Sequence, residues 1–267
     1  MPNKPLAGRR ILITRPREQA GEFGEILEDL GAHVLIAPTI RIAAPEDWGP
    51  LDAAIGALGD YDWVIFTSVN GVRFFSDRLG ELGRSADALA PDARILAIGT
   101  ATGQAVEEIL GRVADGVPER YVAEGILEMM NGEKLGGKRI LIPRAEVARE
   151  ILPDTLRERG AEVDVPPAYR TLPAGEADAE IARTEIAAGR VDMVTFTSSS
   201  TARNFAGIFE QKSPGEAMGR VAVASIGPIA SETAREVGLA PDVEAEVSTI
   251  PGLARAIVDF YGRGPST

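Results

Sequence analysis

The chain repeats itself once, and that duplication limits its fold more than any other feature. Ile11-Leu12-Ile13-Thr14-Arg15-Pro16 returns as Ile140-Leu141-Ile142-Pro143-Arg144-Ala145, and Gly31-Ala32-His33-Val34 returns as Gly160-Ala161-Glu162-Val163, both at an offset of 129 residues. Asp62-Trp63-Val64-Ile65-Phe66-Thr67-Ser68 returns as Asp192-Met193-Val194-Thr195-Phe196-Thr197-Ser198 at 130, and Ile98-Gly99 returns as Ile226-Gly227 at 128. Four ordered matches at a nearly constant offset describe a duplicated unit, too long for a solenoid repeat and the size of a domain. The 267 residues therefore have to build one architecture twice.

Each unit alternates short apolar runs with amphipathic stretches. The expected strands are 10–14, 32–36, 62–67, 94–98 and 117–122, then 138–142, 161–165, 191–197, 220–225 and 242–246. Most are Val/Ile-rich without polar alternation, as strands covered on both faces are. Helical patterns lie between them at Glu18–Leu30, Gly71–Leu82, Gly103–Leu110, Ala148–Arg159, Ala202–Phe209 and Ile229–Val237. Several stop at glycine (Gly31, Gly111, Gly160, Gly238), where a helix end favours a left-handed residue. The alternation predicts an α/β fold with parallel sheets, and five strands per unit suggest a flavodoxin-like sheet with ligands at the carboxyl ends of its strands.

Ala37-Pro38-Thr39-Ile40-Arg41-Ile42 and Pro166-Pro167-Ala168-Tyr169-Arg170-Thr171-Leu172 break this pattern at equivalent repeat positions. The offset is compatible with two contiguous halves and with an interleaved pair of domains. Prolines at both crossing points favour the interleaved pair: one domain of residues 1–37 and 173–267, a second of 44–165, and linker strands 38–43 and 166–172.

Composition removes whole classes of chemistry. With no cysteine there is no disulfide, thiolate nucleophile or zinc–thiolate site, and one histidine, His33, cannot build a multi-histidine metal centre. His33 lies in an alternating apolar run and reads as a solvent-facing or structural strand residue, not as a triad base. A formal charge of −12 argues against nucleic acid as a partner, because that affinity comes from Lys and Arg neutralising phosphates. The acidic spacing Glu18, Glu22, Glu25, Glu28, Asp29 reads as a solvated helix face. Ile11-Leu12-Ile13 is too short for a signal-peptide core and nothing approaches a membrane span, so a cytoplasmic location away from membranes is the expectation.

Polar residues gather at the expected carboxyl ends of strands. Thr14-Arg15 and Pro143-Arg144 follow the first strand type; Thr67-Ser68-Val69-Asn70-Gly71 and Thr197-Ser198-Ser199-Ser200-Thr201 follow the third; Gly99-Thr100-Ala101-Thr102 and Gly227-Pro228-Ile229-Ala230-Ser231 follow the fourth. Each leads into a helix, so hydroxyls, backbone N–H groups and a helix N-terminus converge as an anion site. The same residues also read as ordinary N-caps. Six such loops at one type of sheet edge favour an anion-binding role, whereas Gly99–Gly103 lacks the third glycine of a dinucleotide fingerprint and no P-loop is present.

Taken in order, Ile13-Thr14-Arg15-Pro16, Phe66-Thr67-Ser68-Val69-Asn70-Gly71-Val72, Tyr169-Arg170-Thr171, Phe196-Thr197-Ser198 and Ile226-Gly227-Pro228 resemble the uroporphyrinogen-III synthase family over about residues 9 to 262. The resemblance implies two interleaved flavodoxin-like (HemD-like) domains, each a five-stranded parallel sheet flanked by helices. A two-stranded linker would join them, with the active site in the cleft between. It implies a cyclising hydro-lyase that takes the linear tetrapyrrole hydroxymethylbilane to uroporphyrinogen III with inversion of ring D, without metal or organic cofactor. The family's route ionises the hydroxymethyl group to an azafulvene and passes through a spiro-pyrrolenine, with the pyrrole nitrogens supplying the electron push. Transient contact with the upstream hydroxymethylbilane synthase and a monomeric state are accompanying expectations.

Tyr169 matches the family's linker tyrosine, the candidate for assisting the leaving hydroxyl; the alternative is a tyrosine that packs the hinge. Thr102 and Ser198 match hydroxyls that bond substrate carboxylates, and Ser68 and Asn70 would do the same. Thr14, Ser199 and Ser200 belong to the same strand-end loops. Arg15 and Arg144, with Arg41 and Arg170 in the linkers, would complement a polycarboxylate, or else serve as surface ion pairs. The chain departs from the family at Ala230, where many relatives have threonine, so Ser231 is a candidate replacement. A lysine that some relatives carry shortly before this turn is also absent. A non-catalytic two-lobed ligand-binding protein and a regulatory homologue are the competing readings; retention of Tyr169 favours the enzyme.

Overall fold

A computed structural model describes residues 4–209 and 213–262. In chain order the elements are β1 (Arg10–Ile13), α1 (Arg17–Asp29), β2 (His33–Ile36), β3 (Ile40–Ala43), α2 (Gly49–Gly56), β4 (Trp63–Phe66), α3 (Val69–Glu81), β5 (Arg94–Ala97), α4 (Thr100–Leu110) and α5 (Ala123–Met129). There follow β6 (Arg139–Leu141), β7 (Arg144–Ala145), α6 (Ile151–Glu158), β8 (Glu162–Asp164), β9 (Pro167–Pro173), α7 (Glu176–Ala187), β10 (Met193–Phe196), α8 (Ser199–Gly207), α9 (Pro214–Met218), β11 (Ala222–Ser225), α10 (Pro228–Glu236), β12 (Val243–Glu244) and α11 (Ile250–Gly262). The chain divides into two compact units, one of the described residues in Met1–Arg41 and Leu172–Thr267, the other Ile42–Thr171.

The first unit holds a parallel five-stranded sheet in the order β12-β11-β10-β1-β2. Successive strand side chains point to opposite faces, and both faces are packed. Ile11 and Ile13 join Phe23 and Leu27 of α1 and Leu253 and Ile257 of α11, whereas Leu12 joins Ala182 and Ile186 of α7 and Phe205 of α8. This double covering is why the strands read as apolar runs instead of alternating ones.

The second unit holds a parallel sheet of four strands, β5-β4-β6-β8. Val64 and Phe66 face a cluster with Val72 and Phe75 of α3; Trp63 and Ile65 face one with Ile126 of α5 and Leu156 of α6. The expected fifth strand at 117–122 does not form. A single bridge pairs Leu96 with Gly116, and the chain then leaves the sheet. Pro118 has no N–H to donate to a ladder, which ends pairing there.

The unit boundaries fall inside β3 and β9, which belong to a small sheet of order β3-β9-β7. The linker expected as two-stranded therefore carries a third strand, the two-residue β7, which runs parallel to β9 with a register shift at Arg144/Ala145. Gly31, Gly111, Gly160 and Gly238 all have positive φ, the left-handed stop expected at those helix ends.

The duplication also appears at the amino ends of the sheets. Asp192 accepts from the Arg10 backbone N–H at 2.7 Å, and its repeat-equivalent Asp62 accepts from Arg139 N–H at 2.9 Å. Guanidinium bonding from Arg10 holds the Asp192 carboxyl below the usual carboxylate range. Many ion pairs nevertheless lie at the surface, where each is worth about 0–1 kcal/mol. Fully burying a side chain such as Phe66 or Phe196 is worth roughly 1.5–3 kcal/mol, so packing on both sheet faces dominates each unit's stability.

Candidate active site

In the second unit, β4 ends at Phe66 and the chain turns through Thr67 into α3. Ser68 is the N-cap: its backbone is extended and its Oγ accepts from the Gly71 N–H at 3.0 Å. The same Oγ lies 3.0 Å from the hydroxyl of Tyr169, which β9 delivers from the opposite end of the unit's sequence. Asn70, in the first turn of α3, bonds the same phenol oxygen. The Tyr169 ring stacks on Phe74 of α3, with centroids 5.8 Å apart and planes at 26°, and only 8% of the residue is exposed. Burial pushes the phenol's pKa up, opposed by the contacts to Ser68 and Asn70. The group is therefore a neutral hydrogen-bond donor at pH 7. Sequence reading singled out Ser68, Asn70 and Tyr169 separately, and the fold brings the three together. It missed Phe74, which looks like any core aromatic at helical spacing.

The seat under this cluster is tight. A Cβ on Gly71 would stand 2.9 Å from the Pro143 carbonyl oxygen and 3.3 Å from Ser68 Oγ. Gly71→Ala is expected to force the first turn of α3 away from Pro143, at a cost of about 1–3 kcal/mol typical of overpacking. Urea midpoints check this; an unchanged midpoint would show that the loop at Pro143 yields freely.

Arg144 does not face a ligand site. It is 6% exposed, donates to the Arg149 carbonyl at 2.6 Å and pairs with the Glu150 carboxylate. Glu150 neutralises it, and its bond to the Arg149 carbonyl pins the 145–150 loop. Arg170 is likewise taken, by the Ala44 carbonyl and Glu46. Thr102 lies at 5% exposure in the first turn of α4, and its side chain has no hydrogen bond to a described residue.

In the first unit the strand-end residues divide. Thr14 is fully buried and donates to the Thr195 carbonyl at 2.7 Å, stitching β1 to β10. Ser231 is also fully buried and bonds Ser225 of β11, so it does not stand in for the family's threonine. Both departures have one cause: each side chain continues the inward face of its element. Ser198 caps α8 in a reciprocal box with Thr201, both bonds at 3.2 Å, and its Oγ lies 3.0 Å from that of Ser200. Ser199 accepts from Thr233 at 3.0 Å and so ties α8 to α10. These three serines remain half-buried.

Arg15 behaves differently from its repeat-equivalent. It is half-buried, and among the described residues its Nε has no partner and its one side-chain bond is a 3.4 Å contact to Gln19. Burial lowers its pKa. No carboxylate of the described residues lies within ion-pair distance of it, leaving a guanidinium with donors to spare at the carboxyl end of β1. The N-caps of α4 and α10 are Gly99 and Gly227, which supply no side-chain cap. First-turn N–H groups there stay uncommitted to a capping oxygen.

A cavity of about 800 Å³ lies instead at the amino-terminal edge of the first unit's sheet, lined by residues including Arg9, Asp192, Arg220 and Tyr261. It holds none of the residues above, and ligands of open α/β sheets sit at the opposite strand ends. His33 and the acidic residues of α1 are exposed. Among the described residues no group of three or more His, Asp or Glu could hold a metal ion, and no helix is long and apolar enough to cross a membrane.

Comparison with known proteins bears on this arrangement. The family model described as uroporphyrinogen-III synthase HemD matches residues 21–255. A uroporphyrinogen-III synthase of Synechococcus elongatus is 35% identical over 96% of this chain and 97% of its own. A putative uroporphyrinogen-III synthase of Methanothermobacter thermautotrophicus is 35% identical over 94% and 98%. In fold, the chain is similar to a crystal structure of a mutant uroporphyrinogen III synthase from Thermus thermophilus, with a TM-score of 0.69 at 20% identity, covering 96% of this chain and all of that one. With a family match over most of its length and relatives aligned nearly end to end, the chain belongs to the uroporphyrinogen-III synthase family.

Proposed function

We propose that the protein is a uroporphyrinogen-III synthase, converting hydroxymethylbilane to uroporphyrinogen III with loss of water and inversion of ring D. The observation that carries this reading is the Tyr169 phenol, buried against Phe74 and held by Ser68 and Asn70 at the end of β4. Strand order in the first unit supports a flavodoxin-like domain, 2-1-3-4-5 in that unit's own numbering, with ligand donors at the carboxyl ends.

The chemistry needs a departing hydroxide, and the protein need not supply a nucleophile. As the C–O bond of the hydroxymethyl group breaks, the pyrrole nitrogen supplies its electron pair and the Tyr169 O–H passes its proton to the leaving oxygen, giving water. A phenol near pKa 10 in water stands well below water itself, about 15.7, which leaves a wide margin for burial to consume. The azafulvene carbon is then attacked by the substituted carbon of ring D, and fragmentation and reclosure of the spiro intermediate invert that ring. The proton released on rearomatisation restores the phenol. Arg15, Thr102 and the half-buried Ser198, Ser199 and Ser200 are the donors we assign to substrate carboxylates. Orientation and fixed dipoles do the rest.

The test is to supply freshly made hydroxymethylbilane and separate the product isomers. Uroporphyrinogen III is expected to dominate. A product that is mostly isomer I, matching the uncatalysed control, would overturn the reading in favour of a binding protein.

A further inference from the structure

The hydrogen bonds around Tyr169 can be counted proton by proton. Ser68 Oγ has one proton and two lone pairs. One lone pair takes the Gly71 N–H at 3.0 Å, and the other recorded neighbour of that oxygen is the Tyr169 hydroxyl, also at 3.0 Å. The serine proton is therefore available to the phenol oxygen. Asn70 reaches the same oxygen from the first turn of α3. Ser68 and Asn70 each carry a proton that the phenol oxygen can accept. The perturbing groups are neutral, and Arg144, on the strand paired with β9, is tied to Glu150.

We propose that Ser68 and Asn70 are positioning residues that fill both lone pairs of the Tyr169 oxygen and thereby turn its O–H outward, toward the substrate. They were candidates for binding substrate carboxylates, and this geometry gives them a different task. The inference rests on reading Tyr169 as the proton donor and adds a second consequence to it. When the O–H bond breaks and the proton leaves with the hydroxide as water, the same two donors receive the phenolate. Their bonds strengthen as charge develops, as those of an oxyanion hole do. Ring stacking on Phe74 and the cap bond to Gly71 fix the donors in place beforehand.

The experiment places a fluorotyrosine at position 169, whose lower intrinsic pKa brings its ionisation into an accessible range, and follows it by fluorine NMR without substrate. Ser68→Ala and Asn70→Ala are each expected to make the phenol about tenfold less acidic, one lost hydrogen bond to a charged group apiece. A phenol left unchanged, or made more acidic, by either substitution would overturn the proposal, because the tyrosine would then be donating to that residue. Ser68→Ala also removes the cap of α3, at about 1 kcal/mol. Ser68→Thr keeps both cap and donor, and is expected to restore the parent acidity and kcat. In the natural-tyrosine protein both alanine variants lower kcat more than they raise KM. The titration reads the hydrogen bonds without turnover, so it fails separately from the donor reading, which Tyr169→Phe tests.

Discussion

Tyr169→Phe is expected to lower kcat about ten- to a hundredfold, or roughly 1.4–2.7 kcal/mol of barrier, with KM nearly unchanged. The size follows from the division of labour in the reaction. The pyrrole nitrogen supplies the electrons, so the enzyme without its phenol retains orientation and whatever proton water provides. Loss of a general acid therefore falls at or below the low end of the usual range. The substitution has a second effect. Phenylalanine still stacks on Phe74, but the half-buried Ser68 and Asn70 each lose a hydrogen bond to the phenol oxygen. A lost hydrogen bond costs about 0.5–1.5 kcal/mol, so the variant should also unfold at lower urea. Steady-state kinetics and urea midpoints measure both. A folded variant with parental kcat would reduce Tyr169 to a packing residue.

The parts of this protein that could be read from its letters share one property: they depend on pattern over many residues. The duplication, the both-face burial of strands such as β4 and β10, and the glycines ending α1, α4 and α10 all repeat or follow a period. The expected strand at 117–122 failed because its pattern of Val117, Tyr121 and Val122 is that of a strand, while a single Pro118 removes the ladder bond. β7 was invisible because two residues carry no period at all.

Site residues divide along a different line. Thr14, Arg144 and Ser231 have the right chemistry at the right loops, yet their side chains run inward. For Thr14 the signal was present in parity, since it continues the face of Leu12; Arg144 starts a separate strand, β7, and no parity carries over to it. Ser231 falls with Ala230 and Ala234 on the buried face of α10. A polar residue at a strand's end keeps the direction set by that strand until the backbone turns. By contrast, Ser68, Asn70 and Tyr169 could be chosen one at a time but not as a cluster, because β9 reaches α3 across about a hundred residues of chain.

Arg15 is the residue where folding and function pull apart, and Arg15→Met should separate them. Arg10, Arg78 and Arg94 face carboxylates, whereas Arg15 has a partnerless Nε and a long contact to Gln19. A half-buried charge with no ion-pair partner among the described residues costs stability, and its replacement by an apolar side chain of similar length is expected to leave the fold as stable as before or more so. The same change should raise KM for hydroxymethylbilane about ten- to a hundredfold. That corresponds to one charge-assisted hydrogen bond of about 1.5–3 kcal/mol. kcat should move far less, because a carboxylate contact away from the reacting carbon is the same before and during bond breaking. Arg15→Lys, which keeps the charge but loses the planar fork, is expected to fall between the two. The net charge of −12 makes the contact matter more. An acidic protein that takes a polycarboxylate must hold uncommitted positive charge where the substrate sits, and Arg15, at the carboxyl edge of the first unit's sheet, is the residue we propose for that need. Two outcomes would refute this account: an unchanged KM, or a loss of several kcal/mol in stability with parental KM. In the second case the guanidinium would be supporting the fold.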